Sequence, residues 1–281
     1  TSAEFKIRAL PVGGVQAVVE WNTEGTSWNI DPLTAELELK KDEPTVTSFQ
    51  VSYSKHLFPL AKLKLTFKTD KGDVAGKSGL VLPPYKKPTL RRMPSPPKID
   101  AIISDQEKAG LEKQGDMIEY KGTGPSKYPT DFYVGLSGNQ LYVACINHEP
   151  QMDKIKVVER KRDGGNWKDD CNEVFIMREG SKEYYQIIVS ASGSVYDAIN
   201  GWTSDSIDWN TKVQNAVKLG KDRWIVEQLI DLSMLGELKS GDVLRFNLCR
   251  NLPVHRELSQ WSHTNRKSNH RPEYFGTAVV E

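Results

Sequence analysis

The sequence predicts an all-β protein made of two β-sandwich domains, the first of them immunoglobulin-like, and three observations carry that expectation. Apolar residues recur with period two or in short runs, as half-buried strands require. Clusters of Gly, Asn, Asp and Pro interrupt those runs at short intervals. The chain has 281 residues, more than one compact core usually needs.

In the first part, residues 15–21, 35–39, 47–53 and 63–69 read as strands, separated by turn-rich stretches at 22–25, 41–44 and 70–73. Short strands at this spacing suggest a small sandwich over residues 1–82, although no Cys…Trp…Cys signature is present. Residues 83–97 hold six prolines among several basic side chains. Proline cannot donate to a central ladder and favours a stiff, extended backbone, so this segment is expected to be a linker. From residue 98 the β pattern resumes at 131–136, 140–147, 171–177, 184–190, 224–230 and 243–250. One or two helical turns are expected at 232–238, with Asp231 or Ser233 as cap. The second domain therefore spans 98–281.

Composition removes several classes of function. Lys plus Arg number 38 against 37 Asp plus Glu, a net charge of +1. Such balance favours neither nucleic acid nor an anionic membrane surface. No apolar run approaches the ~20 residues of a membrane-spanning helix. The three cysteines are too few for a disulfide scaffold. Cys145 and Cys171 can pair if their strands are neighbours; otherwise all three are buried thiols. No CxxC, CxxCH or HExxH spacing occurs, which disfavours structural zinc, c-type haem and zincin chemistry. Calcium is compatible with loop Asp and Glu residues, but their spacing specifies no site.

Two residues stand out on physical grounds. Trp167 follows the loop-like Asp163-Gly164-Gly165-Asn166 and precedes a strand. It is either an exposed platform or a cap on the sandwich core. Glu173 lies within an apolar strand, where a carboxylate is costly unless partnered. It either faces a polar groove or pairs with an arginine. Asp170, three positions earlier, points to the opposite face if both lie on the strand.

The second domain resembles the family 9 carbohydrate-binding modules. The resemblance rests on Trp167, Asp170 and the run Glu173-Val174-Phe175-Ile176, with Asp131-Phe132-Tyr133-Val134 and Leu141-Tyr142-Val143-Ala144 before them. Tyr184-Tyr185-Gln186, Trp224-Ile225-Val226-Glu227, Gly241 through Asn247, Trp261-Ser262, and Pro272 with Phe275-Gly276 follow in the family's order. It implies a non-catalytic domain that binds an oligosaccharide or polysaccharide, secreted or held at the cell surface or in the periplasm, in a glycan-degrading system. Trp167 would stack a sugar ring, and Glu173 and Asp170 would bond its hydroxyls.

The chain also departs from the pattern. The family's second clamp tryptophan would fall at Asn269, and an amide before it near Arg266. Trp202 and Trp209, in a long polar stretch, are candidates for a replacement wall. Residues 265–271 offer many donors, so Arg266, Asn269 and His270 are candidates for contacts to an acidic glycan; alternatively His270 pins the turn at Arg271-Pro272. Two rival functions remain. A structural or protein-interaction domain predicts Trp167 packed flat beneath other side chains and no groove. A haem-binding redox domain needs axial ligands, for which Met177 and His263 are available.

Overall fold

The computed structural model describes residues 2–9, 15–40, 43, 45–53, 57–82, 86–121, 124–201, 206–265 and 268–281, with side chains from residue 15 onward. Contacts divide the described chain into two units. One comprises the residues up to 82 with Gly124; the other comprises 86–121 and 125–281.

Unit one is built from β1 (Ser2–Ala9), β2 (Gln16–Asn22), β3 (Trp28–Asp31), β4 (Thr34–Glu38), β5 (Thr45–Tyr53), β6 (Lys62–Lys68) and β7 (Val74–Val81). They form one sheet ordered β4-β2-β6-β7 and another ordered β1-β5-β3. Period-two alternation decides which side chains meet. Ala17, Val19 and Trp21 of β2 are buried with Leu63 and Leu65 of β6, while Phe49 and Val51 are buried on β5. Trp21 meets Phe49 edge-on at 5.6 Å, joining the two sheets through one core. Strands β1, β3 and β7 add to the four expected from the sequence. The patterns of β3 and β7 are weak: β3 has four residues, and β7 carries Gly76 and Gly79.

Unit two begins with β8 (Thr89–Leu90), the single helical turn α1 (Asp105–Lys108) and β9 (Ile118–Glu119). It continues through β10 (Thr130–Ser137), β11 (Gln140–His148), β12 (Cys171–Arg178), β13 (Glu183–Ser190) and β14 (Val195–Gly201). It ends with β15 (Val213–Leu219), β16 (Arg223–Asp231), β17 (Val243–Leu252), β18 (Glu257–Gln260) and β19 (Gly276–Val280). One sheet is ordered β10-β11-β16-β15. The other is ordered β14-β13-β12-β17-β18-β9, with β19 beside the first half of β17. Val143, Cys145, Val226 and Ile230 from the first sheet close on Val174, Ile176, Ile187, Val189, Phe246 and Leu248 from the second.

Two expectations change at this level, and an open pair of alternatives for the cysteines is decided. The segment expected as a linker is in part built into unit two: β8 pairs with β19 in parallel, and Leu90 is fully buried in the core. Extended, proline-flanked backbone suits an edge strand as well as a linker; residues 83–85 lie outside the described chain. The helical expectation at 232–238 reduces to a 3₁₀ turn over Ser233–Leu235, where Asp231 Oδ1 accepts from the Ser233 amide and Gly236 ends the turn at φ 71°. Cys145 and Cys171 do not pair, and all three cysteines are buried and free. Cys145 faces the core between the sheets, whereas Cys171 packs with Ile188, Tyr196 and Ala198 on the outer face of the other sheet.

Candidate functional site

Strand parity places Glu173. Val174 and Ile176 point into the core, so Cys171, Glu173 and Phe175 point out from the same strand. In register, Glu173 lies between Ile188 of β13 and Cys249 of β17, both fully buried. The carboxylate thus sits in an apolar frame, 5 % exposed. Gln186 donates to its Oε2 at 2.9 Å, and Asn269 is also bonded to it. Burial pushes the Glu173 carboxyl above its ordinary range, and the two amides only partly offset that. Asn269 is itself held, because its Oδ1 accepts from Gln260 Nε2 at 2.7 Å, and Gln260 Oε1 accepts from the Thr264 amide. A chain of side chains, Gln260–Asn269–Glu173–Gln186, runs across the outer face.

Trp167 stands above that face on a 3₁₀ turn, Asn166–Lys168. Gly165 enters the turn at φ 82°, a backbone state that a side chain would strain. The indole is 41 % exposed and meets Tyr196 edge-on at 5.0 Å. Asn251 Nδ2 donates to the Trp167 carbonyl. Between these groups lies a pocket of about 400 Å³. Trp167, Tyr196 and Leu258 give it apolar surface, while Glu173, Gln186, Asn251, Ser268, Asn269 and His270 supply polar groups. His270 is exposed at the pocket; its Nδ1 is 2.8 Å from the Tyr184 hydroxyl and its ring lies edge-on to Phe175.

Of the residues singled out in the sequence, the pocket therefore gathers Trp167, Glu173, Asn269 and His270. Asp170 is elsewhere. It is 1 % exposed, and its Oδ2 accepts from the Lys156 amide at 2.8 Å. Parity explains this, since Cys171 faces outward and the preceding residue turns inward. Burial raises the Asp170 carboxyl, partly offset by the Lys156 amide and by the positive charge of Arg250. Arg250 is fully buried and donates through Nη1 to the carbonyls of Tyr128, Pro129 and His148. Burial lowers its pKa to about 10. This interior cluster is structural support, away from the pocket.

Trp209 packs against Tyr185 at 5.0 Å, and Tyr185 contacts the inter-sheet core rather than the pocket face. Trp209 is therefore not a second wall; Trp202 and Arg266 lie outside the described residues. The aromatic that does join Trp167 is Tyr196, on β14, a strand the periodicity did not reveal. Gln186 was visible within its motif, but its bond to Glu173 follows only from the register of β12 against β13. Met177 packs with Phe175, Tyr184 and Phe275. His263 Nε2 donates to the Tyr120 carbonyl and Nδ1 accepts from the Asn265 amide, so both ring nitrogens are engaged. Burial holds this imidazole below its usual pKa. Among the described residues no group of three or more His, Cys, Asp or Glu is arranged to hold a metal ion.

An exposed indole beside fixed amides and a buried carboxylate, on the outer face of a β-sandwich sheet, is suited to a ring with a flat apolar face and a hydroxylated edge. Comparison with known proteins assigns the class. The chain belongs to the Carbohydrate family 9 binding domain-like family, whose model matches residues 98–281. No curated protein matches the chain. Among solved structures it is similar to a protein from Bacteroides uniformis for which carbohydrate binding has been proposed, at 19 % identity and a TM-score of 0.59, covering 70 % of this chain and all of that one. It is also similar to a family 9 carbohydrate-binding module from Caldicellulosiruptor kristjanssonii in complex with cellotriose, at 17 % identity and a TM-score of 0.51, covering 70 % of this chain and 94 % of that one. At these identities the similarity establishes a shared fold. Among the described residues no helix is long and apolar enough to cross a membrane.

Proposed function

We propose that unit two binds a sugar without transforming it, using the pocket between Trp167 and Glu173. Trp167 stacks against the apolar face of one ring. Glu173, Gln186, Asn251 and Asn269 bond its hydroxyls, with Ser268, His270 and Arg266 as candidate contacts at the rim. The observation that carries this reading is the convergence of a 41 % exposed indole and a buried carboxylate on one pocket. Each bond from a hydroxyl to that carboxylate is of the charge-assisted kind, worth about 1.5–3 kcal/mol. Few groups touch a strongly hydrated ligand, so affinity is expected between roughly micromolar and millimolar.

Cellotriose, held by the relative from Caldicellulosiruptor kristjanssonii, is the first ligand to try. The wider role is an accessory module of a secreted or surface-held polysaccharide-degrading system, with unit one as a spacer or a second binding surface. The alternative, a purely structural or protein-interaction domain, predicts a Trp167 packed flat without a groove; the exposed indole at a pocket favours sugar. A glycan array with wild type beside Trp167→Ala tests the reading. Binding to a defined sugar class that disappears in the variant supports it. A folded wild type that binds no glycan overturns it.

A further inference from the structure

Trp167 is half exposed, yet stacking on a sugar face requires its ring plane to be fixed before the ligand arrives. Its indole meets one edge of Tyr196, and its backbone carbonyl accepts from Asn251. The turn beneath it is held differently. Asp169, the residue after the turn, has a side chain with no solvent exposure. Arg160, from the preceding loop, reaches it with two prongs: Nε to Oδ2 at 2.5 Å and Nη2 to Oδ1 at 2.9 Å. The Arg160 backbone amide is tied in turn to Ser194 Oγ at 2.9 Å, next to β14. Lys156 adds its ammonium to Asp169 at 3.2 Å and to the Lys168 carbonyl at 2.8 Å.

We propose that Arg160 is a positioning residue for the sugar platform: its two-pronged bond to buried Asp169 fixes the turn that carries Trp167. The proposal rests on reading Trp167 as that platform. Arg160 does not line the pocket, so it acts only through the turn. A planar fork fixes orientation as well as distance, which a single ammonium does not. Without it, Asp169 keeps only Lys156 as a cation, and a buried carboxylate short of partners draws the turn towards water. Burial alone would raise the Asp169 carboxyl; Arg160 and Lys156 outweigh it and hold that carboxyl below its ordinary range. The same bond holds Arg160 above its own.

The test is a double-mutant cycle on the full chain, with Arg160→Ala and Arg160→Lys in wild-type and Trp167→Ala backgrounds. Two readouts are taken on variants shown to be folded: calorimetric affinity for cellotriose, and the indole ¹H–¹⁵N signal of Trp167, identified by its loss in Trp167→Ala. Arg160→Ala is expected to weaken cellotriose binding about tenfold and to shift or broaden the Trp167 signal while the other indoles stay in place. Arg160→Lys should recover part of both. In the Trp167→Ala background Arg160→Ala should cost nothing further. An unmoved Trp167 signal, or an affinity loss that adds in full to that of Trp167→Ala, would overturn the proposal. If wild type does not bind cellotriose, that choice of ligand fails and the indole signal alone decides whether Arg160 positions the platform.

Discussion

Unit two places one glutamate in the middle of a strand on the outer face of each sheet, and the two are opposites. Glu227 of β16 is fully buried and fully engaged. It accepts the Tyr142 hydroxyl at 2.6 Å and the backbone amides of Asp100 and Ile102 at 3.2 Å each. It ties the covering segment that carries Ile99 and Ile103 onto its sheet. Glu173 of β12 is nearly as short of water, but its partners are two side-chain amides, and a pocket opens beside it. Burial raises both carboxyls. The difference teaches that burial alone does not single out the carboxylate proposed to bind sugar. What separates the two is whether the bonds compensating it come from the fold's own backbone or leave room for a ligand.

The strongest way to break this comparison is Glu227→Ala. It strands the buried Tyr142 hydroxyl and two backbone amides, so unfolding of unit two in urea should lose roughly 2–4 kcal/mol. Affinity of the molecules that remain folded should stay unchanged. An equal loss from Glu173→Ala would erase the distinction. Next is Glu173→Gln, which should weaken sugar binding by about 10- to 100-fold, the worth of bonds to a charged acceptor, as titration calorimetry would show.

The same substitution sharpens the comparison through pH. A carboxyl raised by folding favours the folded state below its ordinary pKa of 4.5 and loses that contribution as pH rises through the folded value. Above its ordinary pKa wild type therefore bears a burial penalty that Glu173→Gln lacks. The variant should melt at higher temperature at pH 7, with the gap closing as pH falls towards 4.5. A gap constant with pH would argue against a Glu173 carboxyl raised by folding. Trp167→Ala, at a surface position, should change stability by less than about 0.5 kcal/mol while strongly weakening binding. Reductant should change the melting temperature least of all, since the three thiols are free and buried; a drop of several degrees would reveal a disulfide.

Much of this was legible in the sequence because it depends on local rules. Alternation in 171–177 and 184–190 marks β12 and β13, and an apolar strand holding a single carboxylate marks Glu173. Trp167 was visible as an aromatic at the end of a glycine loop. The three-residue spacing sets Asp170 and Glu173 on opposite faces only if both lie on the strand; Asp170 was expected to reach the sugar, and the structure instead puts it just before β12, buried and away from the pocket. Tyr196 was not legible, because β14 is an edge strand with three half-exposed residues at its end. Nor was the displacement of Trp209 onto Tyr185, since no local pattern says which side of a sheet a long polar loop crosses.

The sequence by itself determined the all-β class and the family of residues 98–281. The first follows from side-chain period and the second from motif order along the chain. Only the tertiary structure decided that Trp167, Glu173, Asn269 and His270 share one pocket and that Asp170 instead accepts from the Lys156 amide away from it. It also showed that part of the proline-rich segment belongs to the sandwich. Those facts depend on strand register and loop path, which arise from pairing between residues far apart in the chain and leave no periodic trace along it.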